Sequence, residues 1–282
     1  MSSACSWERE GRTDIMDLDE CLGFMKSIAR GAAEILLRGF RASSTVISYK
    51  SHTDLVTNID HASEEYLFNK IHTHYASHSI VAEEGSRSDS GGEYLWYVDP
   101  LDGTNNFAHG IPLFSVSLAL CSRNPRRVLA GVVYDAFHDE LFSARRGGGA
   151  FLNDAPIRVS EISDISLSML ATGFPYDKAS SEKNNLCEFT RLVPRIQGIR
   201  RLGSAAIDLC YVACGRLDGF WEPKLKPWDS SGGSIIVEEA GGSVSTYDGS
   251  DYDPEYPEIL ATNGQIHQAM IAILGCSDPG HV

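Results

Sequence analysis

The sequence lacks a long hydrophobic run. Nowhere in its 282 residues is there the stretch of roughly 18 apolar residues that a membrane-spanning helix needs. Residues 1–20 alternate charged residues with small polar ones, which is not the pattern of a signal peptide. We therefore expect neither membrane attachment nor export.

Basic residues are also scarce, since 24 Lys and Arg stand against 38 Asp and Glu and give a net charge of −14. Such a protein repels the phosphates of nucleic acids and the headgroups of anionic membranes. The balance excludes a protein that binds nucleic acid or membranes non-specifically. A phosphorylated small molecule would have to be attracted by local positive charge, against the overall field of the protein.

Cysteine is present without a pattern. The seven cysteines are scattered and form no C-x-x-C pair and no disulfide framework. Cys210 and Cys214 share a helical face, where small buried side chains explain them better than a metal site does. Thiols of this kind fit the reducing cytoplasm, which is the localisation that we expect.

The remaining composition is that of an ordinary globular protein, with 43% hydrophobic and 22% charged residues. The length allows one large domain or two closely packed halves. We predict a frayed N-terminal extension over residues 1–16, followed by a single domain over residues 17–277. Its two halves are expected to meet near residues 155–165.

Hydrophobic periodicity gives the two halves different characters. Apolar residues recur at intervals of three and four over residues 17–40, which predicts an amphipathic helix. Strand patterns dominate up to residue 144 and predict a mainly antiparallel sheet, whereas strands and helices alternate after residue 167. Residues 181–192 are predicted to be helical. Gly147–Gly149 lies between strand patterns without a following helix or lysine, so we predict a hairpin turn there.

The most informative segment is Asp-Pro-Leu-Asp-Gly-Thr at residues 99–104. It follows the aromatic and β-branched run at residues 94–98, which is typical of a buried strand. Pro100 fixes its own φ and removes a backbone donor. We therefore expect the strand to stop at Asp99 and the chain to turn.

This segment combines two kinds of ligand. Asp99 and Asp102 are predicted to direct both carboxylates at one point, which suits a hard cation. Gly103 allows close backbone approach, and together with Thr104 it is predicted to open a short helix with unpaired N–H groups that suit a phosphate.

The segment resembles the first signature of the inositol monophosphatase family of Mg²⁺-dependent, Li⁺-sensitive phosphomonoesterases. Trp228-Asp229 before an apolar helix matches the second signature, and Asp-Leu-Val-Thr-x-x-Asp ending at Asp60 adds another match. The resemblance extends over about residues 17–275. It implies an α+β fold, a layered αβαβα sandwich with a mainly antiparallel sheet in the first half and mixed α/β structure in the second.

The resemblance also implies two or three Mg²⁺ ions, with Mn²⁺ as an alternative and Li⁺ as an inhibitor. By this resemblance Glu83, Asp99 and the Leu101 carbonyl hold the first metal. Asp99, Asp102 and Asp229 hold the second. Four carboxylates in one small space would protonate or bind cations, and oxygen ligands without a convergent His or Cys set favour Mg²⁺ over zinc.

Asp60, Thr104 and Glu83 are the predicted catalytic residues. A threonine hydroxyl accepts a proton near pH 7 only if it passes its own proton to a base, and the resemblance assigns that base to Asp60. The alternative for Asp60 is a plain helix cap. Glu83 would help to recruit a third metal, and water would attack without a phosphoenzyme. Lys50 matches a lysine on a mobile loop beside the family's active site, with an ordinary solvated lysine as the alternative.

The resemblance places substrate contacts in three segments. A helix start in the second half supplies substrate-facing backbone, for which packing of small residues is the alternative. Glu222 matches a glutamate that holds ring hydroxyls. The predicted substrate-binding residues are Asp102, Gly103, Thr104, Gly203, Ser204, Ala205 and Glu222.

The expected activity is Mg²⁺-dependent hydrolysis of a small phosphomonoester, with myo-inositol 1-phosphate favoured because of Glu222. The same chemistry on fructose 1,6-bisphosphate, histidinol phosphate or adenosine 3′,5′-bisphosphate is an alternative. A binding protein of a transcription complex is an alternative of another class, against which the acidic charge weighs. The expected partners are a phosphorylated polyol and, by resemblance, a second copy of the chain in a homodimer.

One departure from the family pattern adjoins the second signature. Relatives usually carry two alanines and a glycine where Ser230-Ser231-Gly232 stands. We therefore expect different packing at this helix start, while the metal-binding role implied for Asp229 is unaffected.

Overall fold

The computed structural model describes residues 16–49 and 55–275. The helices are α1 (Leu18–Gly39), α2 (Asn58–His74), α3 (Thr104–Ala108), α4 (Leu186–Leu192), α5 (Ala205–Ala213), α6 (Pro227–Glu239) and α7 (His267–Leu274). Three parts of the prediction lie outside the described residues. They are Lys50, residues 1–15 of the predicted extension, and the end of the predicted domain after residue 275.

The described residues of the first half form ten strands, of which two make a small ribbon and eight make a large sheet. They are β1 (Ile47–Tyr49), β2 (Leu55–Thr57), β3 (Ser79–Ala82), β4 (Arg87–Ser88), β5 (Tyr94–Asp102), β6 (Ser115–Arg123), β7 (Arg126–Asp135), β8 (Glu140–Arg145), β9 (Gly149–Leu152) and β10 (Ala155–Pro156). The large sheet has the order β10-β9-β8-β7-β6-β5-β3-β4, and only its β3–β5 pair is parallel. The predicted hairpin turn at Gly147–Gly149 is confirmed, because these residues lead from β8 into its antiparallel partner β9.

The second half forms a mixed sheet of five strands. These are β11 (Met169–Thr172), β12 (Gly198–Arg200), β13 (Gly219–Pro223), β14 (Ser243–Ser245) and β15 (Glu258–Thr262). Their order is β12-β11-β13-β15-β14, with β11 parallel to both of its neighbours and β15 antiparallel to both of its own.

Strand periodicity explains how these elements form layers. Successive side chains of a strand point to opposite faces. In β5, Trp96 packs in a core with α1 and α2, whereas its neighbour Tyr97 packs in a second core with α5 and α6. That second core also contains Phe220 of the five-stranded sheet, whose other face packs on α4 and α7 through Trp221. The resulting order is helices, sheet, helices, sheet, helices, which confirms the predicted αβαβα sandwich.

Strand β5 differs from its prediction, because it continues past Pro100 to Asp102. Asp99 pairs with Ser117 of β6, and Asp102 pairs with Ser115, so three steps on β5 match two on β6. This is a β-bulge, where the missing N–H of proline is tolerated. Ser117 and Ser115 are two residues apart and share a face of the sheet, so the bulge puts Asp99 and Asp102 on one face as well.

Helix α4 is shorter than predicted. The prediction covered residues 181–192, whereas the helix begins at Leu186. Asn185 has φ of 69°, in the left-handed region, so a right-handed helix cannot continue through it. In the part of the chain that the structure describes, no helix is both long and apolar enough to cross a membrane.

Candidate active site

A pocket of about 510 Å³ lies where the end of β5 meets the starts of α5 and α6 and the end of β13. It gathers acidic residues from separate parts of the chain. The acidic residues that line it are Glu83, Asp99, Asp102, Asp177, Asp208, Glu222 and Asp229.

Asp99 lies deepest among the acids of the β5 bulge, with 1% of its surface exposed. Its Oδ1 accepts a hydrogen bond from the N–H of Leu101 at 3.0 Å. Burial raises the pKa of Asp99 well above its usual value, and the neighbouring charges of Glu83, Asp102 and Asp229 raise it further. The four carboxylates line one pocket, where their negative charges repel one another.

Asp102 is tied to the start of α5. Its Oδ2 accepts hydrogen bonds from the Ser204 hydroxyl and from the N–H of Ala206, the latter at 2.9 Å. Burial raises the pKa of Asp102 to about 6, although hydrogen bonds from Ser204, Ala206 and Ala205 lower it in part. The predicted substrate segment at residues 203–205 therefore adjoins the predicted metal ligand Asp102.

Asp229 lies in the first turn of α6, as predicted. Its Oδ2 accepts the N–H of Lys226 at 2.7 Å, so the carboxylate also caps the helix. Burial raises the pKa of Asp229 well above its usual value, with a further increase from the charge of Glu83.

Glu83 follows β3 directly, and its N–H donates to the carbonyl of Val98 at 3.1 Å, which holds it beside β5. The turn after it is held by Glu64, a residue that the sequence analysis did not single out. Glu64 is 3% exposed, and its carboxylate accepts the N–H groups of Glu84 at 2.6 Å and of Ser86 at 2.9 Å. The sequence offered one indication of this role. Glu64 lies four residues after Asp60 on α2, and therefore on the same helical face.

Asp60 and Thr104, distant in sequence, are hydrogen-bonded. The Thr104 hydroxyl lies 3.1 Å from Asp60 Oδ1 and 3.0 Å from the Leu101 carbonyl, with one proton to donate. Asp60 Oδ2 accepts the N–H of Thr57 at 2.9 Å, which completes a capping box at the start of α2. Helix capping and pairing with Thr104 were alternatives for Asp60 in the sequence analysis. Its carboxylate makes both contacts.

The donor chemistry of this cluster fits a hard divalent cation. Within residues 16–49 and 55–275, no three His, Cys, Asp or Glu side chains stand as a ready-made metal cage. At Asp102 and at Asp229, one carboxylate oxygen accepts a hydrogen bond from a backbone N–H group. A cation bound among these carboxylates would relieve the repulsion that contributes to the raised pKa values of Asp99 and Asp229.

Gly203 and Glu222, two of the predicted substrate-binding residues, line the same pocket. Gly203 has φ of 90°, and a Cβ there would lie 2.9 Å from Asn106 Nδ2. This amide donates to the carbonyls of Leu113 and Leu202, each at 2.8 Å, and so fixes the segment to the end of α3. Burial raises the pKa of Glu222 to about 8, although the Arg201 charge lowers it in part.

The serines at the start of α6 are accommodated by hydrogen bonds. The Ser230 hydroxyl shares one with Tyr252 Oη at 2.7 Å, and the Ser231 hydroxyl donates to the carbonyl of Pro227 at 2.5 Å. Since both hydroxyls are satisfied, the departure from the usual alanines leaves no buried polar group without a partner.

Comparison with known proteins decides the family. The sequence model of the inositol monophosphatase family matches residues 17–277. The chain belongs to this family. The inositol-1-monophosphatase of Synechocystis sp. is 47% identical over 225 residues, which cover 79% of this chain and 78% of that protein. The Nus factor SuhB of Pasteurella multocida is 43% identical over 223 residues, which cover 78% of this chain and 83% of that protein.

A solved structure shows the same fold. The inositol monophosphatase from Anabaena (Nostoc) superposes with a TM-score of 0.84 at 42% identity, covering 94% of this chain and 98% of that one. Membership of the inositol monophosphatase family makes the chain a phosphomonoesterase, in a family that is generally metal-dependent.

Proposed function

We propose that the protein hydrolyses a small phosphorylated polyol, myo-inositol 1-phosphate, with Mg²⁺. One observation carries this proposal. The acidic cluster, which consists of Glu83, Asp99, Asp102 and Asp229, lines the same pocket as Glu222 and lies next to the hydrogen-bonded Asp60–Thr104 pair. The cluster suits metals, the pair suits proton transfer, and Glu222 suits hydroxyl groups.

The proposed metal ligands are those that the resemblance implies. Glu83, Asp99 and the Leu101 carbonyl would hold one ion, and Asp99, Asp102 and Asp229 would hold a second. When bound, Mg²⁺ or Mn²⁺ lowers the pKa of water and stabilises negative charge on phosphate and leaving group. Li⁺, which has a similar radius and half the charge, would inhibit by replacing one ion.

The residues of the chain supply positioning and proton transfer. The Thr104 hydroxyl orients the attacking water and takes up its proton while Asp60 takes up the hydroxyl proton. Asp60 is prepared for this role because burial raises its pKa. Asp102 is held in place by Ser204, and the backbone of residues 203–205 faces the phosphate.

The identity of the substrate rests on Glu222. Its carboxyl group accepts hydrogen bonds from ring hydroxyls, which favours an inositol-like polyol over the other phosphomonoesters considered. The thiols of Cys21, Cys121, Cys210 and Cys214 fit the proposed cytoplasmic location, and a homodimer is proposed by family resemblance.

A second candidate function follows from the similarity to the Nus factor SuhB of Pasteurella multocida. By that similarity the protein would assist a transcription complex, with or without its phosphatase activity. The acidic charge of the chain favours a protein partner over direct binding to nucleic acid.

Phosphate release from a substrate panel tests the main proposal. With Mg²⁺, myo-inositol 1-phosphate should give a higher kcat/KM than fructose 1,6-bisphosphate, histidinol phosphate or adenosine 3′,5′-bisphosphate, and EDTA should abolish the activity. A higher kcat/KM for any of the other three would overturn the substrate assignment. Turnover that persists in EDTA would overturn the metal assignment.

A further inference from the structure

A buried carboxyl group in the pocket has no part in the machinery described so far. Asp208 lies in the first turn of α5 and lines the same pocket as Glu222. Only 2% of its surface is exposed, and its Oδ1 has no hydrogen-bond partner among the described residues. Buried polar atoms nearly always have partners, so this oxygen is arranged for one that is supplied from the pocket.

The surroundings of Asp208 favour the protonated form of its carboxyl group. Burial raises the pKa of Asp208 well above its usual value, the charges of Glu222 and Asp102 raise it further, and the charge of Arg201 lowers it in part. A neutral carboxyl group both donates and accepts a hydrogen bond, as a hydroxyl group does. Asp208 and Glu222 therefore present two carboxyl groups to one side of the pocket.

A role in helix capping does not explain Asp208. The start of α5 is already capped by Ser204, whose hydroxyl accepts the N–H of Ile207 at 3.3 Å. A negatively charged side chain in the first turn interacts favourably with the helix dipole, but this stabilisation needs an ionised carboxylate. Asp208 is buried, so α5 gains little from this interaction.

We infer that Asp208 is a specificity-determining residue that hydrogen-bonds a substrate hydroxyl next to the one held by Glu222. The inference rests on the proposed function and narrows its substrate class. The preferred substrates are phosphorylated polyols with at least two free hydroxyl groups on neighbouring carbons. Aryl phosphates and simple alkyl phosphates have no free hydroxyl groups and make neither contact.

The test compares Asp208→Ala with the wild-type protein on myo-inositol 1-phosphate and on p-nitrophenyl phosphate, which has no ring hydroxyls. Loss of one hydrogen bond to the polyol should lower kcat/KM by about tenfold more for inositol 1-phosphate than for the aryl phosphate. Asp208→Asn, which has the same shape with an NH₂ donor group and a carbonyl acceptor, should restore most of the difference.

Monodeoxy analogues of myo-inositol 1-phosphate identify the contact itself. One analogue, lacking the hydroxyl that Asp208 binds, should be hydrolysed equally well by wild type and Asp208→Ala. The analogue lacking the hydroxyl bound by Glu222 should keep the full difference. Cys210→Ala, which truncates another fully buried side chain of α5 outside the pocket lining, is the matched control and should leave the substrate ratio unchanged.

Equal losses on both substrates, or no loss on either, would overturn the inference and leave the proposed function standing. A wild-type protein that cleaves p-nitrophenyl phosphate but not inositol 1-phosphate would overturn both. If Asp208→Ala does not fold, Asp208→Leu takes its place, because leucine has a similar branched shape without a hydrogen-bonding atom.

Discussion

The Cα atom of Gly173 lies against the carboxyl group of Glu222. A Cβ built at position 173 would lie 2.1 Å from both carboxyl oxygens, closer than any real contact. Asn185 fixes this arrangement, since its Nδ2 donates to the Gly173 carbonyl at 2.6 Å and its Oδ1 accepts Trp221 Nε1 at 2.7 Å. The loop after β11 and the strand that carries Glu222 are thus tied together.

Gly173→Ala should therefore displace Glu222 and damage polyol recognition. We expect kcat/KM for myo-inositol 1-phosphate to fall about tenfold more than for p-nitrophenyl phosphate, since the hydrogen bond from the polyol to Glu222 is misplaced. Gly23→Ala is the control, because a Cβ at this helical position meets nothing within 4 Å. Equal behaviour of the two variants on inositol 1-phosphate would show that the Gly173 contact has no functional role.

Glu222→Gln tests the recognition group itself. Above pH 8, where a Glu222 of pKa about 8 is ionised, losing its charged hydrogen bond costs about 1.5–3 kcal/mol. This cost corresponds to about a ten- to hundredfold fall in kcat/KM for polyol substrates. The fall for p-nitrophenyl phosphate should be much smaller. The ratio of the two effects in one preparation is the measurement, and a ratio near one would assign Glu222 to the metals or to the fold.

Asp99→Asn and Asp229→Asn should each lower kcat by several orders of magnitude, because each removes a negative ligand from a charge-matched site. The proteins should remain folded, since fewer like charges are then crowded together. Asp164→Asn, an exposed cap of a short 3₁₀ turn, serves as the charge-matched control. Near-normal Mg²⁺-dependent turnover in Asp99→Asn would refute the ligand assignment.

The raised pKa values predict how the stability of the metal-free protein depends on pH. The pKa of Glu222 is raised to about 8, and those of Asp99 and Asp229 are raised well above their usual value. In the unfolded chain these groups titrate near pH 4. The folded protein then binds more protons than the unfolded one, so its stability decreases as pH rises through the folded pKa values.

We therefore expect the Tm in EDTA to fall between pH 6.5 and pH 8, a window above the titration of His78 and His267, whose pKa values are lowered by burial. Mg²⁺ binds the ionised carboxylates, so the Tm gained with Mg²⁺ should be larger at pH 8. In Asp99→Asn the fall in EDTA should be smaller. A Tm in EDTA that rises over this window would contradict the crowding of ionisable carboxylates.

Glu64→Gln should weaken metal binding without removing a proposed ligand. One carboxylate oxygen becomes an NH₂ group, which would face the N–H of Glu84 or Ser86 and loosen the turn beside Glu83. We expect the Mg²⁺ concentration for half-maximal activity to rise about tenfold, as for other partners that orient metal ligands. Glu65→Gln, at the exposed neighbouring position, should leave the Mg²⁺ dependence unaltered. Indistinguishable Mg²⁺ titrations of these two variants would refute the positioning role.

The layered fold was predicted through the family resemblance. Helical and strand periodicities predicted the different characters of the two halves, because they record which faces of each element are buried. It did not predict the bulge at Pro100, since the register of β5 depends on its pairing with β6. The start of α4 was missed because Asn185 takes a left-handed conformation while bonding to Trp221, a contact between distant parts of the chain.

Some residues of the candidate site could also be predicted from the sequence, and others could not. Asp99, Asp102 and Asp229 were predicted from short motifs whose spacing is visible in the sequence. Glu64 and Asp208 were not singled out, because an isolated acid on a helix has no local signature. Their burial and their surroundings exist only in the folded protein.

The capping box at the start of α2 has a consequence for the history of such proteins. Asp60 closes this helix and also receives the Thr104 hydroxyl. A descendant that no longer hydrolysed any phosphate would still be selected to keep Asp60, because α2 would be less stable without it. Asp60 would then persist long after the activity was gone, and its presence in a distant relative would be a poor marker of an enzyme.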